Sequence, residues 1–175
     1  IPPSRSQRLA IRLAQKSTAV IRNAQVPKTA DPPGSHAPSA AKEAVTPPVV
    51  AIIGLSNSGK TRVAVALIEL LTARGYRIAA VKHSPHGHQV DRPATDSARF
   101  YAAGAMRVFL SSPGQMTSIE RTEVDTPLEE ILASLDSSYD LLVAEGFKGS
   151  AVPKVMVLGA ERLSPPPQNI IAVVG

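Results

Sequence analysis

The sequence predicts an α/β fold of three layers, with a mostly parallel sheet between helices, preceded by a largely disordered basic tail. Three observations carry this expectation. From Val49 onward short apolar runs alternate with helical stretches, the signature of βαβ units. A glycine-bearing segment, Gly54 to Thr61, falls between the first apolar run and the first helical stretch. Residues 1–47 differ in composition from all that follows: half of the 16 prolines lie before residue 49.

The elements follow in order. Residues 49–53 read as the first strand. Residues 60–74 read as a helix with Val63, Leu67, Leu70 and Leu71 on one face and Gly75 as its stop. Residues 76–82 form the second strand. A helix over 95–103 ends at Gly104, a third strand covers 105–111, and 116–121 supplies an added one. Thr126 is suited to cap a helix with Pro127 at its first position and Glu129 at its third, running to about residue 136. Residues 141–144 are a buried strand, and 154–158 and 169–174 complete the set. The chain stops at Gly175 directly after that strand, where the pattern calls for another helix. It opens on Ile1 rather than methionine, so a fragment or processed product is expected.

Charge is informative only when divided by region. Residues 1–47 hold Arg5, Arg8, Arg12, Lys16, Arg22, Lys28 and Lys42 against Asp31 and Glu43, which accounts for the whole net charge of +5. Subtracting these seven and two from the totals of 19 and 14 leaves 12 basic and 12 acidic residues in the remainder. A neutral globular part gives no electrostatic footprint for nucleic acid. Residues 5–23 have the spacing of a basic amphipathic helix, and the stretch from Val26 to Pro48 reads as a linker. A targeting presequence, a membrane-surface helix or the end of an upstream domain would look alike, and no function is assigned to the tail. The expected organisation is a tail and linker over 1–47 and one domain over 48–175. No apolar run of about 18 residues exists, so no membrane span is expected. Cysteine is absent, which excludes disulfides and thiolate metal sites. A soluble cytoplasmic protein is the expectation.

Gly54-Leu-Ser-Asn-Ser-Gly59-Lys60-Thr61 matches the Walker A pattern, in the required place between an apolar strand and a helix. The fold class is therefore narrowed to the three-layer P-loop NTPase fold. The glycines let the backbone curl so that successive N–H groups, including those of Ser56, Asn57 and Ser58, face phosphate oxygens, and the helix dipole adds to that field. Lys60 is positioned to reach the β- and γ-phosphates, and the Thr61 hydroxyl to ligate magnesium.

A magnesium-bound triphosphate also needs a carboxylate at the carboxyl ends of the strands. In Asp140-Leu-Leu-Val-Ala-Glu145-Gly146 the two acids lie about 16 Å apart at roughly 3.3 Å per residue. Only Glu145 falls at the ligand edge, which assigns it the magnesium or water-positioning role and leaves Asp140 structural. The second strand delivers Lys82-His83-Ser84-Pro85-His86-Gly87-His88, followed by Asp91, to the same edge. These histidines are read as contacts to substrate or nucleotide, with a zinc or nickel site as the alternative.

Several segments together resemble the molybdopterin-guanine dinucleotide biosynthesis protein B family (MobB). They are the P-loop, Lys82-His83 with His86, Asp91-Arg92-Pro93, Asp96-Ser97-Ala98-Arg99, Ala103-Gly104-Ala105, and Asp140 through Lys148 with Pro153-Lys154, in the family order over about 110 residues. The resemblance implies a GTP-binding, weakly hydrolysing accessory protein. It would work with the nucleotidyltransferase that attaches GMP to molybdopterin, contact molybdopterin or its guanine dinucleotide, and form a homodimer. Carried over by position, Gly54, Gly59, Lys60 and Thr61 would hold phosphate and magnesium, with Asp91 and Glu145 as acidic partners. Lys82, His83, His86, Lys148 and Lys154 would line the same cleft. The chain departs from the family at Ala94-Thr95, where Gly-Lys is usual, and at Arg62, commonly a second threonine. A small-molecule P-loop kinase or ligase, a nickel-delivery GTPase and a pure adaptor are the other readings. No Asn/Thr-Lys-x-Asp element for reading guanine occurs, so GTP over ATP rests on the resemblance alone. Slow hydrolysis is expected because no arginine or glutamine can be placed at the γ-phosphate, Arg92 and Arg99 being candidates only.

Overall fold

The computed structural model describes residues 46–85, 87, 95–159 and 163–175. Its elements are β1 (Val49–Ile53), α1 (Lys60–Thr72), β2 (Ile78–Lys82), α2 (Asp96–Ala102), β3 (Arg107–Ser112), β4 (Gln115–Glu120), α3 (Leu128–Ala133), β5 (Leu141–Glu145), β6 (Lys154–Val157) and β7 (Ile170–Val174). They fall into two compact units, one made of the chain up to His83 together with Leu128–Gly175, the other of Ser84–Pro127.

The first unit is a five-stranded sheet in the order β2-β5-β1-β6-β7, with every pairing parallel. Strands β1 and β5 have neighbours on both sides, and helices cover both faces, so their sequences are continuous apolar runs rather than alternations. Successive side chains still point to opposite faces, and this divides the core in two. Val50, Ile52, Leu141, Val143, Val155 and Val157 pack with Ala64, Leu67 and Leu71 of α1 on one side. Ala51, Ile53, Leu142 and Ala144 pack with Leu128 of α3 on the other. Helix, sheet and helix are the three layers that the alternation of apolar runs predicts, and the Gly54–Thr61 motif narrows them to the P-loop NTPase fold. Among the described residues no helix is long and apolar enough to cross a membrane.

Strand edges differ by one or two residues from the sequence expectation. Helix α1 stops at Thr72 rather than residue 74, because the amides of Ala73, Arg74 and Gly75 turn back onto Glu69, Leu71 and Thr72. Strand β2 opens at Ile78, since the Tyr76 amide is still spent on the Leu71 carbonyl. Helix α3 is shorter than expected, six residues ending at Ala133.

Residues 105–111 and 116–121, expected as a third strand and an added one, do form strands but pair outside the parallel sheet. Strand β3 pairs only with β4, antiparallel, in a separate two-stranded sheet within the second unit. The connection explains it: Pro113-Gly114 forms a two-residue link, and only an antiparallel return fits so short a loop. Val108, Leu110 and Ile119 occupy the less exposed face of this hairpin, while Phe109 and Met116 face outward. Thr95 caps α2 by accepting from the Ala98 amide at 3.3 Å. Arg121 ties the hairpin to that helix, its guanidinium 3.9 Å from the Tyr101 ring centre and donating to the carbonyls of Tyr101 and Ala105.

Candidate functional site

The glycine-bearing loop joins β1 to α1 at the carboxyl end of the central strand, where ligands collect in open parallel sheets. Gly59 stands at the N-terminus of α1, and among the described residues no side chain caps the amides of its first turn. The loop closes on itself through the Ser58 amide to the Leu55 carbonyl at 3.3 Å. Asn57 takes a left-handed conformation at φ 59°, with Ser56 and Asn57 exposed at the loop tip. The Lys60 ammonium donates to the Leu55 carbonyl at 2.6 Å, curling back over the loop, and this uses one of its three protons. The Ser58 hydroxyl is buried with no hydrogen-bond partner among the described residues.

Gly54 is fixed by close approach. A Cβ there would come within 2.6 Å of both the Ser58 Oγ and the Val157 carbonyl oxygen. The end of β6 thus lies against the base of the loop, and Gly159 follows in the same contact, with Ser58 Cβ 3.7 Å from where its own Cβ would stand. Sequence reasoning did not place residues 157–159 here. Their proximity follows from β6 lying next to β1, a strand order no local pattern encodes.

Glu145 closes β5 in register with Ile52 of β1 and Lys82 of β2. That register brings its carboxylate to the start of α1, where the Thr61 Oγ1 donates to Glu145 Oε2 at 2.8 Å. The other oxygen, Oε1, faces the Lys82 ammonium at 3.5 Å. The carboxylate side chain is only 12% exposed while that of Lys82 is 64% exposed, so the acid is enclosed and the amine reaches it from solvent. His83 is tied to the same strand end: its amide donates to the Glu145 carbonyl at 2.9 Å, and its ring lies 4.9 Å from that of Phe147. Gly146 is needed in this corner, since it sits at φ 99° with the His83 Cβ 3.0 Å from where a Cβ would be. Phe147 follows in a left-handed conformation rare for an aromatic residue, φ 52°, with its carbonyl accepting from both the amide and the hydroxyl of Ser150.

The structure therefore brings Gly54, Lys60, Thr61, Glu145, Lys82 and His83 to one end of the sheet. Lys148 is exposed on the turn that follows. Lys154, expected to line the same cleft, is elsewhere. It opens β6 opposite Ala51, is 1% exposed, and donates to the carbonyls of Ser150 at 2.5 Å, Val152 at 3.2 Å and Gln168 at 3.3 Å. Three acceptors consume its three protons, which makes it a structural cation. Asp140 stands at the other end of β5 and accepts from the Arg77 amide at 2.6 Å. His86, Asp91 and Arg92 lie outside the described residues. Among the described residues no group of three or more His, Cys, Asp or Glu comes together to hold a metal.

The comparison with known proteins decides the family. The family model described as molybdopterin guanine dinucleotide synthesis protein B matches residues 49–175. The chain belongs to the MobB family. Among similar MobB proteins, the molybdopterin-guanine dinucleotide biosynthesis adapter protein of Haemophilus influenzae is 34% identical over 122 residues, covering 69% of this chain and 68% of the relative. The adapter protein of the same name from Escherichia coli is 33% identical over 113 residues, covering 63% and 65%. The crystal structure of Bacillus subtilis MobB matches with a TM-score of 0.51 at 31% identity, covering 64% of this chain and 68% of that one. The chain thus spans about two thirds of the length of these MobB relatives.

Proposed function

We propose that this MobB-family chain is a nucleoside-triphosphate-binding adapter in the assembly of molybdopterin guanine dinucleotide. It binds GTP with Mg2+ at the loop from Gly54 to Thr61 and assists the nucleotidyltransferase that attaches GMP to molybdopterin. The names of its relatives support the pathway. The observation that carries the chemistry is the 2.8 Å bond between the Thr61 hydroxyl and Glu145, two residues 84 positions apart whose types and places suit a magnesium-triphosphate site.

The residues present fit such a group. Among the described residues the buried Ser58 hydroxyl has no partner and α1 has no side-chain cap. Lys60 retains two protons after its bond to Leu55, enough to bind two phosphate oxygens. Loop amides and the α1 dipole would orient and partly neutralise the phosphates. Thr61 and Glu145 would hold Mg2+, which supplies charge neutralisation when bound. His83 fixes the strand end that carries Glu145 through its backbone bond and ring contact. Slow hydrolysis belongs to the same reading. So do a homodimer, a cytoplasmic setting and contact with molybdopterin or its dinucleotide.

Calorimetry with GTP and ATP, each with Mg2+, tests the proposal on the wild-type chain and on Lys60→Ala. GTP should bind more tightly than ATP, and the variant should lose at least about tenfold in affinity, the worth of a charge-assisted hydrogen bond. Absence of binding by either triphosphate at millimolar levels would overturn it.

A further inference from the structure

The two oxygens of Glu145 are shared between unlike partners. Oε2 accepts from the Thr61 hydroxyl, a neutral donor fixed in the first turn of α1. Oε1 faces the Lys82 ammonium, a full charge on a flexible and largely exposed stem. The backbone of Lys82 is fixed where β2 runs in register beside β5 and puts residues 82 and 145 side by side. The pair is therefore a consequence of strand register, and the amine can leave the carboxylate without disturbing the sheet. A divalent cation using Glu145 must share the carboxylate with this ammonium or displace it, and like charges a few ångströms apart repel.

Resting on the reading above, we propose that Lys82 is a built-in competitor for the cation at Glu145: it orients the carboxylate toward Thr61 and sets the divalent-cation affinity lower than Thr61 and Glu145 alone would give. Lys82 is thus a positioning residue acting through Glu145. Two expectations follow. Removing the charge at 82 tightens cation binding, and removing it from Glu145 weakens cation binding. The exposure of Lys82 keeps the first effect modest, because solvent screens most of an interaction at this depth.

Mn2+ serves as the probe, its binding to the full chain in the presence of GTP being read by electron paramagnetic resonance from the free-ion signal. Lys82→Gln is expected to tighten the Mn2+ dissociation constant by about twofold to fivefold, and the gap to narrow as salt is raised. Lys82→Arg, which keeps the charge and the reach to the carboxylate, is expected to retain the wild-type value. Glu145→Gln is expected to weaken Mn2+ by at least about tenfold. Weaker or unchanged Mn2+ binding in Lys82→Gln, with Glu145→Gln weakened as expected, overturns the role of Lys82 and leaves the magnesium-triphosphate reading standing. Unchanged binding in Glu145→Gln overturns both. Thermal unfolding of each variant separates these outcomes from loss of fold.

Discussion

Lys154 distinguishes two accounts of this protein with a single substitution, Lys154→Met. Methionine fills nearly the same volume but removes the ammonium, leaving the carbonyls of Ser150, Val152 and Gln168 without their shared donor. Each of these part-buried carbonyls left without a donor costs about 1–3 kcal/mol. The three costs are offset in part by several kcal/mol of desolvation that the buried amine no longer bears once it is gone. The balance is a loss of about 3 kcal/mol, on the order of 10 °C in Tm for a domain of this size. Urea or thermal unfolding followed by circular dichroism reads the loss directly. GTP affinity, measured well below the transition, should remain within about twofold of wild type, since the ammonium faces carbonyls rather than the loop. An unchanged Tm together with weakened GTP binding would refute the structural role and restore the cleft cation that the sequence suggested.

Two further outcomes test the loop and the core. Gly54→Ala places a methyl group within 2.6 Å of the Val157 carbonyl and the Ser58 hydroxyl, so the loop must shift; it should cost about 1–3 kcal/mol in urea unfolding and weaken GTP binding measured by calorimetry. Leu67→Ala empties a position that is 1% exposed between α1 and the sheet; denaturant unfolding should show a loss of about 2–5 kcal/mol.

The glycine loop was legible in the sequence because its chemistry is local: Gly54 through Thr61 are contiguous, and the strand before them and helix after them announce themselves by apolar pattern. The place of Glu145 was legible too, because a carboxylate that ends an apolar run must lie at the carboxyl edge of a parallel strand. Lys154 was not. Its spacing beside Pro153 fits a family pattern, but whether an amine points to a cleft or to three carbonyls depends on residues 150–152 and 168 converging around it. The hairpin of β3 and β4 was half legible: both strands were expected, but not their antiparallel pairing in a sheet of their own.

What the sequence alone determined is the glycine loop between β1 and α1 and the alternation of strands and helices, since both depend on neighbours a few residues apart. The tertiary structure decided the strand order, which sets β5 and β6 on either side of β1, and with it the meeting of Thr61 with Glu145 and of Gly54 with Val157. Such pairings are won by burial of whole strand faces, a sum over distant residues that no local stretch of the chain contains.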